Sequence, residues 1–492
     1  MRFWAKRIHW YGALVFFMMV CAVFLRLYRL SDFTMFLSDQ GRDAIIIHDI
    51  VTFKHFPTIG APSSMGQVFL GPFYYYLIAP FLPLFGFNPL GLSVGVVILC
   101  MIGLIATVIV LKRELNKPTA LLFLFFATFS FVIIEYSRFS WNPNLLPVFS
   151  FFTLYFFYRT ITKKRVIDAI AWGIFFGLSF QLHHLALFMG GTMAVVWIFY
   201  FFKNKQKVLS LRNAAIAVGA FIFASAPLIL FDIKNHFINL NNFLKTLSAP
   251  DTLAKSSVFQ RIMDSNGTFF TNLLNIPFSA ESALTILLLV VALVLFLLKK
   301  KKKIHLLITI HALHFVIYIF LFGLINIERH PHYYLTVYFS FFLVMSYLLI
   351  RFPIHNYIKF VVIGTICSVF IAINFPKYYF FKEVGNDQIG HSRRVAAFLS
   401  PKIGNQPFNI ATWPVNFTED NYTYFLILNG HRPLDRAKIE IANQMFVLCN
   451  QEPCEVLNSP SWNISMFGPA KIDKMWTFER IIIYKLVHAD TK

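Results

Sequence analysis

The sequence predicts an all-α polytopic membrane protein of about eleven transmembrane helices, followed by a small C-terminal α/β domain outside the membrane. Three observations carry this. The 492 residues are 57% hydrophobic and only 14% charged, whereas a soluble domain is about a quarter charged. Sixty phenylalanines exceed what a water-soluble core of this size can hide, so lipid is the main solvent. The cations that bring the net charge to +21 fall in short runs between apolar stretches, a pattern of membrane sidedness and not of nucleic-acid binding.

A helix needs about twenty apolar residues to cross the hydrocarbon. The first such run, 9–27, ends in Arg26-Leu27-Tyr28-Arg29 without a small-residue cleavage site, so it reads as a retained span. The others are 90–111, 118–136, 144–159, 166–183, 185–202, 213–231, 281–298, 304–325, 333–350 and 358–375. Basic runs at Arg2, Lys6 and Arg7, at Lys112 and Arg113, and at 159–165, 203–212 and 299–303 all fall on one side if residues 68–87 do not cross. Pro72, Pro80 and Pro83 break that stretch, so it is predicted to lie along the interface within a first outer loop, 28–89. The expected layout is a transmembrane domain, 1–376, with its N-terminus cytoplasmic, in the inner or plasma membrane. An extracytoplasmic domain, 377–492, follows, with strand-like runs at 408–413, 423–428, 438–449 and 480–487. Cys449 and Cys454 lie in that tail, where an oxidising space would let them pair.

Ionisable residues collect at the span ends opposite the basic loops, where charge is costly and wants a reason. In Ser38-Asp39-Gln40-Gly41-Arg42-Asp43, Ser38 or Asp39 can cap a helix, and Asp39 and Asp43 are four apart on one face. An outward carboxylate there can bind a divalent cation or take a proton from a hydroxyl; an N-cap beside a solvated Asp is the plainer reading. Glu135-Tyr136-Ser137-Arg138, then Trp141-Asn142-Pro143-Asn144, offers an Arg able to grip phosphate, or an internal Glu135–Arg138 pair. Gln181, His183 and His184 suit hydrogen bonding to a polar ligand better than metal, since adjacent histidines point in different directions. Glu328, Arg329, His330, His332 and Tyr333 crowd the mouth of the 333–350 span. Tyr74 to Tyr76 read as an interfacial aromatic belt.

The order of these features resembles the GT-C membrane glycosyltransferases, in particular the protein O-mannosyltransferase and lipid A aminoarabinose transferase branch. The likeness rests on Arg26-Leu-Tyr-Arg-Leu leading to Asp39, on Gly71-Pro72-Phe73-Tyr74-Tyr75, on Phe85-Gly86-Phe87-Asn88-Pro89, and on Arg138-Phe-Ser-Trp-Asn-Pro143. It covers the first two thirds of the chain. The resemblance implies a hexosyltransferase that moves a sugar from a polyprenyl-phosphate carrier onto an acceptor hydroxyl, with inversion, at the outer face. It makes Asp39 the residue that activates the acceptor. Gln40 stands where the family frequently has Glu, which leaves Asp43 as the candidate partner and metal use open. Arg42, Arg138, Gln181, His183, His184, Glu328, Arg329, His330, His332 and Tyr333 are the expected substrate contacts. The acceptor is a protein, a glycolipid or a cell-wall polymer. Two other classes fit a polytopic chain: a transporter or lipid flippase, and a non-catalytic membrane subunit. Neither repeated halves nor a mid-span charge pair, which transporters favour, is visible.

Overall fold

A computed structural model describes residues 2–63, 68–204, 210–248, 257–279, 304–325, 327–414 and 418–489. Among the described residues, six helices are long and apolar enough to span a membrane: Trp10–Leu27, Leu90–Glu114, Asn142–Lys163, Leu306–Leu324, Pro331–Arg351 and Asn356–Lys377. A seventh arises if Leu211–Ala224 and Ala226–Lys234, bent by 68° at Ser225, form one span. Three more predicted spans are shorter apolar helices, Lys117–Phe129, Val166–Leu182 and His184–Phe199; the predicted 281–298 span and the 299–303 basic run lie outside the described residues. Residues 68–87 hold two short helices, Phe73–Ile78 and Phe81–Leu84. Together these extend only about 18 Å at 1.5 Å per residue, too little to cross.

Local chemistry sets the helix ends. Asn116 accepts from the Thr119 amide at 2.8 Å and starts the Lys117–Phe129 helix. Lys164, at φ 55°, stops Leu146–Lys163, and the chain turns directly into Val166–Leu182. That helix then packs against Leu211–Ala224 through Gly173 and Gly177, four residues apart. A Cβ on Gly173 would lie 2.1 Å from the Ala217 carbonyl oxygen, and one on Gly177 would lie 2.9 Å from the Ala224 Cβ. Small residues at this spacing let backbones approach where no hydrophobic effect drives helices together.

Several spans carry their basic residues at one end only. Leu90–Glu114 ends in Lys112 and Arg113, and the helix from Asn142 ends at Arg159 and Lys163. Arg159 and Arg165 both pair with the buried Asp168, at 2.9 and 3.0 Å. The opposite ends, at Asn88, Asn142 and Pro331, face the C-terminal domain.

That domain has a four-stranded sheet in the order β1-β2-β4-β3, where β1 is Asn409–Trp413, β2 Gln444–Cys449, β3 Ala470–Phe478 and β4 Ile481–His488. β1 and β2 run parallel, and β2–β4 and β3–β4 antiparallel. Strand alternation divides β2. Met445, Val447 and Cys449 face a small core with Ala411 and Phe467, whereas Phe446 and Leu448 join a core continuous with the transmembrane helices. Cys449 and Cys454 form a disulfide. The expected strand at 423–428 is instead the helix Asp420–Leu428, buried almost throughout. Here tertiary contact overrides the β preference of its aromatic and branched residues.

The candidate active site

The Ser38–Val51 helix positions the acidic motif. Its cap is Leu37, whose backbone N–H donates to Gln40 Oε1 at 3.2 Å, so neither Ser38 nor Asp39 acts as the cap expected from sequence. Ser38 Oγ instead accepts from the Thr418 amide at 3.1 Å, which ties the C-terminal domain to the first turn. A Cβ on Gly41 would lie 2.3 Å from the Asn421 backbone nitrogen; no other residue fits so close a crossing.

Arg42 lies between two carboxylates. Its Nη1 donates to Asp39 Oδ1 at 2.8 Å, and its Nη2 and Nε donate to Asp43 Oδ1 at 2.8 and 3.1 Å. Tyr75 Oη donates to the same Asp43 oxygen at 3.1 Å. The environments differ sharply: the Asp39 side chain is 47% exposed and that of Asp43 is 0% exposed. Burial raises the Asp43 pKa, and Arg42 offsets this only in part.

Asp39 opens into a cavity of about 620 Å³. All four polar clusters send residues to it: Ser38, Asp39 and Gln40; Glu135, Tyr136, Trp141 and Pro143; His183; and His330, Pro331 and His332. The C-terminal domain adds Thr418. Topology explains the convergence: three of the clusters lie at ends of apolar helices, and the Ser38–Val51 helix of the first loop brings the fourth to them.

Other expected contacts turn elsewhere. Asp43 sits behind Arg42 and does not line the cavity, so it is linked to Asp39 through Arg42. Arg138 is buried, and its guanidinium donates to the carbonyls of Leu25, Arg26 and Tyr28 at 2.8, 3.1 and 2.9 Å. It caps the C-terminal end of the first span and lies over the Phe380 ring at 4.2 Å, so it pairs with neither Glu135 nor a phosphate in this cavity. Gln181 bridges the Phe73 amide and the Ala224 carbonyl, at 3.2 and 2.6 Å. His184 lines a separate apolar cavity with Val68, Phe180 and Asp232. Arg329 donates to the Arg261 carbonyl at 3.1 Å and lies over Phe322. Tyr333 is buried, with its carbonyl taken by the Tyr318 hydroxyl. Glu328 is 78% exposed beside His330. Thus Asp39, His183, His330 and His332 meet in the cavity, with Arg42 directly behind Asp39. Lining residues not singled out as contacts from sequence include Glu135, Tyr136 and Trp141, which lie within the recognised motifs, and Thr418, for which the sequence offers no signal. Among the described residues no group of three His, Cys, Asp or Glu side chains is placed to hold a metal ion.

Residues 70–231 match the family described as dolichyl-phosphate-mannose-protein mannosyltransferase. The structure superimposes on the crystal structure of ArnT from Cupriavidus metallidurans bound to undecaprenyl phosphate, with a TM-score of 0.60, 10% identity and 98% of each chain covered. The chain has the GT-C fold. Against the apo form of the same ArnT the TM-score is 0.59 at 12% identity, again over 98% of each chain. No curated protein matches the sequence itself. The family match and the GT-C fold agree with the resemblance drawn from the motifs.

Proposed function

We propose that this protein transfers a sugar from a polyprenyl-phosphate carrier to an acceptor hydroxyl, with inversion, on the side of the membrane occupied by the C-terminal domain. The observation that carries this reading is a half-exposed carboxylate, Asp39, held by Arg42 in a cavity at the ends of the spans. A lipid-linked sugar phosphate brings its own leaving group, so the protein need only place the acceptor, remove its proton and stabilise the departing phosphate. Asp39 orients and deprotonates the hydroxyl. Attack at the anomeric carbon from the face opposite the phosphate inverts the centre in one displacement. His183 and His330 offer hydrogen bonds to the phosphate oxygens, while Arg42 holds the base in place. The short helices at Phe73–Ile78 and Phe81–Leu84 lie along the interface, and the carrier enters beside them with its chain in lipid. The likeness to ArnT bound to undecaprenyl phosphate supports a carrier of this class.

The test uses the purified chain in proteoliposomes with polyprenyl phosphates carrying radiolabelled hexoses. Protein, glycolipid and cell-wall polymer fractions serve as acceptors. Covalent transfer is expected, and Asp39→Asn should lower it by about 10²–10⁴-fold without reducing insertion or carrier binding. An Asp39→Asn enzyme as fast as the wild type would remove Asp39 from the mechanism. Movement of labelled carrier across the bilayer with no covalent product would identify a transporter instead.

A further inference from the structure

The cavity has two unlike walls. Ser38, Asp39, Gln40 and Thr418 form the polar one. The facing wall consists of flat rings, with Tyr136, Phe139, Trp141, His183, His330 and His332 all reaching the cavity. His332 is the hub. Its ring centroid lies 4.6 Å from Trp141, 4.2 Å from Tyr333, 5.6 Å from His330, 6.0 Å from His183 and 6.4 Å from Tyr136. Rings braced against one another in this way hold a fixed surface whether the cavity is full or empty. Packing alone does not account for them, since Tyr136, Trp141 and His332 all stay partly exposed.

Two polar groups in this wall lack partners among the described residues. Glu135 lines the cavity and makes no hydrogen bond or ion pair there, because Arg138 is engaged with the carbonyls of the first span. The Trp141 indole N–H likewise donates to no described residue. Both groups face the open cavity, where a ligand can take up the hydrogen bonds that solvent otherwise supplies.

A flat ring flanked by a free carboxylate and a free N–H is complementary to a pyranose. The sugar's C–H face lies against the ring, its hydroxyls donate to the carboxylate, and one of its oxygens accepts from the indole. Neither a prenyl chain nor a bare phosphate matches this set. A prenyl chain leaves both polar groups without hydrogen bonds, and a bare phosphate has no C–H face to lay against the rings. We propose that the wall of Tyr136, Trp141 and His332, with Glu135 at its edge, receives the sugar of the lipid-linked donor and leaves Asp39 free for the acceptor. This rests on the glycosyltransferase reading. It also assigns choice of sugar to the hydroxyls that Glu135 reads, because a sugar lacking them leaves the carboxylate unpaired.

The experiment compares binding of undecaprenyl phosphate with binding of its hexosyl esters by the full chain in nanodiscs. The best-bound ester should bind the wild type more tightly than the bare carrier. Trp141→Leu and Glu135→Gln should each weaken that ester by about tenfold. Bare undecaprenyl phosphate should stay within about twofold of wild type. Trp141→Phe keeps a ring but loses the indole N–H, so its ester affinity should fall between wild type and Trp141→Leu, which separates loss of the platform from loss of fold. Equal weakening of ester and bare carrier, or no weakening of either, would overturn the proposal, as would a wild type that does not distinguish them. A wild type that distinguishes the esters yet transfers no sugar would overturn the glycosyltransferase reading and leave the sugar wall standing.

Discussion

Replacing Arg42 with Met should give a protein whose defect grows with pH. The Asp43 carboxylate is 0% exposed, and its only cationic partner among the described residues is Arg42, at 2.8 Å. Removing one member of a buried pair costs about 3–5 kcal/mol when the other stays charged. Asp43 can escape that cost by taking a proton. Burial already raises its pKa in the wild type, against the pull of Arg42, and removing Arg42 raises it further. A carboxyl whose folded pKa lies above its unfolded value contributes its stability at low pH and loses it as pH rises through the folded pKa. The variant should therefore unfold near the wild-type temperature at acidic pH. Between the unfolded and the folded pKa of Asp43 it should lose up to about 1.4 kcal/mol per pH unit, and above the folded pKa the deficit should level off at the pair cost. The measurement is the thermal midpoint in detergent across a pH series, as the difference between variant and wild type. Adding Asp43→Asn to Arg42→Met should abolish the pH dependence and restore much of the stability, without restoring transfer. A constant offset at every pH, or a double variant with the same slope as the single one, would refute this account of Arg42.

Arg138→Met should lower the thermal midpoint and leave the affinity for polyprenyl phosphate unchanged, because three hydrogen bonds to the carbonyls of the first span are lost, each worth about 1.5–3 kcal/mol when charge-assisted. A carrier-specific rise in KM at unchanged stability would instead make Arg138 a phosphate ligand. Gly173→Leu should cost at least about 1–3 kcal/mol through overpacking, since even a Cβ there would lie 2.1 Å from the Ala217 oxygen; size-exclusion profiles after mild heating report it. Gly41→Ala should push the C-terminal domain off the Ser38–Val51 helix. Transfer should be lost and proteolysis of the tail accelerated, with membrane insertion intact.

The convergence of four span-end clusters on one cavity was legible because sidedness follows from where lysines and arginines fall, and short loops keep neighbouring ends together. Which side chain at each end turns inward was not legible. Arg138 looks like a phosphate ligand in sequence, yet the carbonyls at the end of the first span take it, and those carbonyls carry no sequence signal. His183 and His184 face different cavities, as adjacent residues at a helix end must. Charged residues drew attention at the second cluster, while Trp141, a neutral ring three positions beyond Arg138, lines the wall. In the tail, β3 is an edge strand whose lysines and Asp473 give it the polarity of a loop. The 423–428 run has a strand's composition and a helix's surroundings. Thr418 enters the cavity only because one domain docks on another, which no local pattern encodes.

Thr418 and the Gly41–Asn421 crossing also impose an order on biosynthesis. Asp39 emerges from the ribosome early, but the wall opposite the rings is unfinished until a residue nearly four hundred positions later reaches Ser38. A half-made chain in the bilayer holds Asp39 without this wall. Docking of the last domain thus serves as a completion step: only a finished molecule has the wall of the cavity that Thr418 supplies.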